Sequence, residues 1–137
     1  MSMRAYVLDG DVKWVETDAG GLIHNTSALR WAEAAEHAFY RADVPELPVE
    51  RLPRRRVEAT YHRPLRFRDH YQVTLSVEKL GRTSVTYFWT VTSRGALCVE
   101  GRHVVVHLDG HGAPTPWPQY LRDAVARLEN TASHTPA

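Results

Sequence analysis

The chain has 137 residues, 17 Lys and Arg against 16 Asp and Glu, a formal net charge of +1 and 43% apolar residues. That length and apolar share suit one domain that buries its own core, and the near-neutral balance supplies no global field for holding nucleic acid. No run approaches the ~18 apolar residues of a membrane span, the N-terminus lacks an apolar signal core, and Cys98 is the only cysteine. The sequence therefore predicts a soluble cytoplasmic protein with no intrachain disulfide and no thiolate metal cluster.

In chain order, Arg4 to Leu8 reads as extended and Val12 to Thr17 continues the alternation. Asp9-Gly10 between them is a hairpin signal, but a single interrupted strand is preferred. The strand is expected to end at Asp18, because Ala19-Gly20-Gly21 cannot comfortably extend it. His24-Asn25-Thr26-Ser27 then offers side-chain acceptors for free helical N–H groups, and Ala28 opens a run of strong helix formers. Ala28, Trp31, Ala32, Ala35, Ala38, Phe39 and Ala42 share one face, which predicts a buried stripe, with Arg30, Glu33, His37, Tyr40 and Arg41 on the other side. Asp18 is thereby expected near a helix N-terminus, where free N–H groups and the helix dipole favour developing negative charge.

Pro45, Pro48 and Pro53 end the helix and mark a surface connection. From Leu52 onward the period is two. Val57, Ala59 and Tyr61 predict one strand; Val73, Leu75 and Val77 a second; Val85, Tyr87, Trp89 and Val91 a third; a last strand spans about Leu97 to Leu108. Their short connections suit antiparallel neighbours. The pattern predicts an α+β domain over residues 1–130, an antiparallel sheet carrying one long helix. Gln119 to Leu128 can form a short further helix, and residues 131–137 are expected as a disordered tail.

The run Thr17-Asp18-Ala19-Gly20-Gly21 followed by Leu29-Arg30-Trp31 resembles the 4-hydroxybenzoyl-CoA thioesterase group of the hotdog-fold superfamily. That group includes acyl-CoA thioesterases of the Tol-Pal-associated type and relatives serving polyketide pathways. The similarity continues through Val57-Glu58-Ala59-Thr60-Tyr61, Arg63-Pro64, Phe67, Asp69 and Leu80-Gly81-Arg82-Thr83-Ser84, covering about residues 6 to 125. The resemblance implies a hotdog fold, a five-stranded antiparallel sheet wrapped around one long helix. It also implies hydrolysis of an acyl thioester, sites shared between subunits of a homodimer or homotetramer, and no cofactor beyond the coenzyme A of the substrate.

Thioester hydrolysis needs a group that attacks the carbonyl or activates water, and donors for the oxyanion. Asp18 is the candidate for the first role, since the family uses the matching Asp as nucleophile or general base; on the residues alone, a capping role is about equally supported. Many relatives carry a His seven residues later, where this chain has Asn25, so Asn25 is the second catalytic candidate and His24 beside it reads as a surface or capping residue. Arg82, Thr83 and Ser84 are the preferred contacts to coenzyme A phosphates, with Arg63 next, because guanidinium pairs well with phosphate. His62, His70, His103 and His107 lack metal-site spacing, so no metal is expected. Two alternatives stand beside an acyl-CoA thioesterase: an acyl-carrier-protein thioesterase of polyketide or fatty-acid biosynthesis, suited by the arginines of 54–68, and a non-catalytic acyl-thioester-binding hotdog protein.

Overall fold

A computed structural model describes residues 5–133, with side chains described to residue 128. Strand β1 (Tyr6–Asp11) leads through a 3₁₀ turn (Trp14–Glu16) to helix α1 (Ser27–Asp43). A second 3₁₀ turn (Val49–Arg51) precedes β2 (Arg54–Tyr61), β3 (His70–Leu80), β4 (Ser84–Ser93) and β5 (Ala96–Val106), and helix α2 (Gln119–Ser133) closes the described chain. The five strands form one antiparallel sheet in the order β1-β3-β4-β5-β2. This is the expected hotdog arrangement, with α1 packed on the sheet. Helix α2 runs past the expected end at Leu128 as far as Ser133, and residues 134–137 of the expected tail lie outside the described residues.

The core follows the period-two pattern closely in the central strands. Val73, Leu75 and Val77 of β3 and Val85, Tyr87, Trp89 and Val91 of β4 are all buried. They form one cluster with Ala28, Trp31, Ala32, Ala35 and Phe39 of α1 and with Leu121, Val125 and Leu128 of α2. Each large side chain so buried contributes roughly 1.5–3 kcal/mol.

Three expectations are corrected. First, β1 stops at Asp11: Val12 turns inward, its N–H donating to Asp69 O at 2.8 Å, and Trp14 and Val15 lie exposed in the 3₁₀ turn rather than in a strand. Second, the buried face of α1 is rotated from the expected stripe. Ala42 is exposed, whereas Glu36 and Tyr40 are buried, because the sheet presents polar partners to them. Third, β2 buries little: Val57 and Tyr61, expected to face inward, are each 46% exposed. An edge strand has a neighbour on one side only, and here both of its faces stay largely open within one chain.

Candidate active site

Asp18 sits in a tight loop closed by a bridge between Thr17 and Ile23. Its N–H donates to Leu22 O at 2.7 Å, and its Oδ1 accepts from the N–H groups of Gly20 at 2.8 Å and Leu22 at 3.2 Å. Gly21 has φ +85°, a conformation that side chains disfavour, so the loop depends on glycine there. The carboxylate is exposed. One oxygen thus fixes the loop, while Oδ2 has no partner among the described residues. Asp18 caps its own loop, and α1 begins later, at Ser27.

Asn25 lies two residues beyond the bridge, just before the Thr26 that precedes the helix. Its carbonyl accepts the hydroxyl of Tyr61 at the end of β2, so the start of α1 is held against the edge strand. His24 is committed elsewhere: its Nδ1 accepts from the Thr26 N–H at 3.1 Å and lies 2.8 Å from Thr26 Oγ1. A ring nitrogen thus satisfies one of the N–H groups that every helix start leaves without an intrahelical acceptor, in keeping with the capping role read from the sequence. The two candidate catalytic residues therefore share one short segment.

A hub that sequence reasoning missed holds this segment in place. Glu16 O accepts from His24 N–H at 2.7 Å and from Ser27 Oγ at 2.8 Å. Its carboxylate accepts from Lys13 N–H at 2.8 Å and from Trp31 Nε1 at 2.8 Å. Trp31 in turn stacks on Tyr71, with ring centroids 3.9 Å apart. Burial, with the nearby charges of Glu16, Asp11 and Asp9 adding to it, pushes the Tyr71 hydroxyl up to about 12. Tyr71 is therefore a neutral ring against which the indole packs.

The predicted phosphate contacts separate. Arg63 follows β2, and its N–H donates to Cys98 O at 3.1 Å. It lines a recess of about 240 Å³ with Leu22, Ile23, Tyr61, His62 and Pro64, on the Asp18 side of the molecule. Arg82 and Thr83 lie in the β3–β4 turn and Ser84 opens β4, at the opposite end of the strands. Arg82 O accepts from Trp117 N–H at 3.2 Å, and Arg122 Nη2 donates to Gly81 O, also at 3.2 Å. With β4 ten residues long, about 30 Å separates the two ends. One chain brings Asp18, Asn25 and Arg63 together and leaves Arg82, Thr83 and Ser84 apart from them.

A second recess, of about 310 Å³, starts at Thr26 and runs beside α1 past Leu29, Arg30 and Glu33, walled by Val57 and Trp89 and reaching Arg54 and His103. Trp89 can lie flat on β5 because residue 101 is glycine: a Cβ there would come within 2.3 Å of the indole Cζ2 and 2.5 Å of Glu58 O. Behind the recess lies a buried polar cluster. Glu36 Oε1 accepts from Arg54 Nη2 at 2.6 Å and His103 Nε2 at 2.8 Å, and Oε2 accepts from Tyr40 Oη at 2.6 Å. Tyr40 Oη is 2.9 Å from Tyr87 Oη. Burial alone would raise the Glu36 carboxyl, but His103, Arg54 and Tyr40 outweigh it and hold the group below its ordinary value. Among the described residues no group of three or more His, Cys, Asp or Glu side chains is placed to hold a metal.

The fold is that of a hotdog protein of the thioesterase kind, and the comparisons agree. The model of the thioesterase-like superfamily matches residues 12–125, and the chain belongs to that family. A predicted thioesterase from Bacillus stearothermophilus superposes with a TM-score of 0.83 at 27% identity, over 90% of this chain and 96% of that one. A thioesterase from Thermus thermophilus, in complex with coenzyme A and Zn, gives a TM-score of 0.82 at 28% identity over 90% and 94%. A candidate esterase of Aquifex aeolicus (strain VF5) is 29% identical over 87 residues, which make up 58% of this chain and 66% of that protein, just under two thirds of its length.

Proposed function

We propose that this protein is a thioester hydrolase acting on acyl-CoA, with Asp18 as its nucleophile or general base. The observation that carries the reading is the division of labour within one carboxylate. Oδ1 is fixed by two backbone N–H groups while Oδ2 is left without a partner among the described residues, in the loop that leads into α1. Acting as a base, Oδ2 takes a proton from water, and the hydroxide attacks the thioester carbonyl. Acting as a nucleophile, it forms an anhydride that water then cleaves. Either route expels a thiolate, whose low basicity compared with an alkoxide lets it leave without a dedicated acid. Asn25 supplies an amide N–H for the carbonyl oxygen. No redox cofactor or resident metal enters the proposal, and a cytoplasmic location goes with the single free Cys98.

Support for the coenzyme A part comes from the Thermus thermophilus relative, whose structure is a complex with coenzyme A. Arg63 stands on the Asp18 side and is the first phosphate contact. Arg82, Thr83 and Ser84 can meet the nucleotide only across a subunit boundary. Such a boundary is part of the proposal: β2 presents an open edge and half-exposed Val57 and Tyr61, which suit pairing with β2 of a second copy. The test is a panel of acyl-CoA and acyl-carrier-protein thioesters followed by free-thiol release. Turnover of CoA esters is expected. Turnover confined to carrier-bound esters would replace the substrate class, and no thiol release from any ester would leave a binding protein.

A further inference from the structure

Beside the Asp18 loop the surface is apolar and basic at once. Trp14 and Val15 stand 69% and 84% exposed on the first 3₁₀ turn, and Phe67, 40% exposed, meets Trp14 edge to face with ring centroids 5.5 Å apart. Single apolar side chains on a surface are ordinary, but a group of them marks a site of contact. The turn is held firmly: Trp14 O accepts from the Thr17 N–H at 3.1 Å and from Thr17 Oγ1 at 2.7 Å, and Val12 O accepts from the Arg68 N–H at 2.9 Å. Cations border the patch. Lys13 precedes Trp14, Arg66 and Arg68 flank Phe67, and the Arg68 guanidinium lies 5.0 Å from the Phe67 ring centroid. None of these three forms an ion pair among the described residues. The carboxylates of the same segments are engaged elsewhere, Asp11 with His70, Glu16 with the Lys13 N–H and the Trp31 indole, and Asp69 with the Arg66 N–H and Arg94. Asp18 is left to oppose the three cations. Arg68 holds its place at φ +76°, in the left-handed region that favours glycine. A strained residue whose charged side chain is laid on an exposed ring points to a use for that side chain.

We infer that this turn docks the protein on an anionic lipid bilayer. Charge selects an anionic partner, and shape decides between a bilayer and a protein. Protein interfaces centre on anchors seated in desolvated pockets, whereas here the most exposed apolar groups stand on a turn bordered by long cationic side chains. A bilayer receives such a turn with no pocket of its own. The indole and Val15 enter at the headgroup level, where a ring with one polar end is at home. The Lys and Arg stems lie along the apolar surface and present their charge to lipid phosphates. Thr17 follows the turn directly and Arg66 bridges Leu22, so docking turns the Asp18 loop toward the headgroups. On the hydrolase reading, a released long-chain acid partitions into that layer. The docking goes beyond that reading and does not depend on it.

The experiment uses the intact protein with vesicles of phosphatidylcholine alone or of equimolar phosphatidylcholine and phosphatidylglycerol, read by flotation and by tryptophan emission. Of the four tryptophans, Trp31, Trp89 and Trp117 are buried, so Trp14 reports a move from water to lipid. A blue shift is expected, with binding at least about tenfold tighter to the anionic vesicles and weakening with salt. Trp14→Ala should bind at least about tenfold more weakly and show no shift. Arg68→Gly relaxes the backbone while removing one charge, so it should bind roughly fivefold more weakly with the melting temperature little changed. Failure to bind either vesicle, equal binding to both, or a blue shift that survives Trp14→Ala overturns the inference. So does Trp14 emission, taken as the difference from Trp14→Ala, that is already blue without lipid, which would place the patch between copies of this chain. Retention of an acidic acyl carrier protein by the same residues, with no vesicle binding, overturns it in favour of protein docking. Turnover of dissolved esters without vesicle binding would overturn this inference alone. Vesicle binding by a protein that hydrolyses no ester would sustain it while overturning the hydrolase reading.

Discussion

The indole N–H of Trp31 donates to Oε2 of Glu16 at 2.8 Å, and this bond ties the 3₁₀ turn preceding the Asp18 loop to the second turn of α1. A hydrogen bond to a charged group contributes ~1.5–3 kcal/mol. Trp31→Phe keeps a ring against Tyr71 but removes the donor, so the expected result is a stability loss of about 2 kcal/mol, read by urea unfolding. A fall in kcat larger than any rise in KM should accompany it, because loop position matters most in the transition state. An unaltered kcat would show that the loop holds its geometry without Glu16.

The open edge of β2 predicts assembly. Sedimentation at micromolar concentration is expected to show at least two copies of the 15.6 kDa chain. Val57→Arg places a charge on the exposed face of β2 and should shift the population toward the single chain. A species near 15.6 kDa alone for the unsubstituted protein would remove β2 pairing from the account.

Separation of the two arginine sites makes a kinetic distinction. Phosphate binding is common to ground and transition states, so losing a phosphate contact raises KM and spares kcat. Arg63→Ala is expected to raise KM for acyl-CoA roughly tenfold, about 1.4 kcal/mol, and KM should rise with salt. Arg82→Ala should raise KM only in the assembled form, since within one chain it lies at the far end of the strands. A KM effect from Arg82→Ala in a dissociated variant would contradict this placement.

Acid should weaken the fold through Glu36. Its carboxyl is held below the ordinary 4.5 in the folded state, so the folded protein binds this proton less readily than the unfolded chain. The resulting stabilisation is present above about pH 4.5 and is lost as pH falls through the depressed folded value. Melting temperature is therefore expected to drop below about pH 4.5, and Glu36→Gln should flatten that part of the profile. Glu36→Ala leaves Arg54 and His103 around an empty site and should cost about 3–5 kcal/mol, as removal of one partner from a buried ion pair does.

The fold was legible where one physical rule acts alone. Val73 to Val77 and Val85 to Val91 are buried on one face by sheet packing, and period two reveals them directly. Reading failed where partners come from distant segments. Tyr40 looks like the polar side of an amphipathic helix, and only Tyr87, Arg54 and His103, brought in by three strands, make its burial and that of Glu36 tolerable. Trp14 and Val15 alternate like a strand, but β1 ends at Asp11 as Val12 turns in to bond Asp69. At the site, Asp18 and its glycines were visible because a strained loop needs glycine. Glu16 was not, because its bonds to Ser27 and Trp31 span 11 and 15 residues with no local signal. Nor could spacing reveal that Arg63 and Arg82 lie at opposite ends of the strands, which depends on the order of pairing.

The central claim is that Asp18 performs the chemistry, and turnover of Asp18→Asn tests it most directly. Asn retains an oxygen that can accept from Gly20 and Leu22, so the loop and the melting temperature should change little, while the charge that attacks or abstracts a proton is gone. The account predicts a fall in kcat of at least about 10²-fold on whichever acyl thioester the protein hydrolyses best, with KM nearly unchanged. Near-normal turnover in a folded Asp18→Asn protein would contradict it and reduce Asp18 to the cap of its own loop.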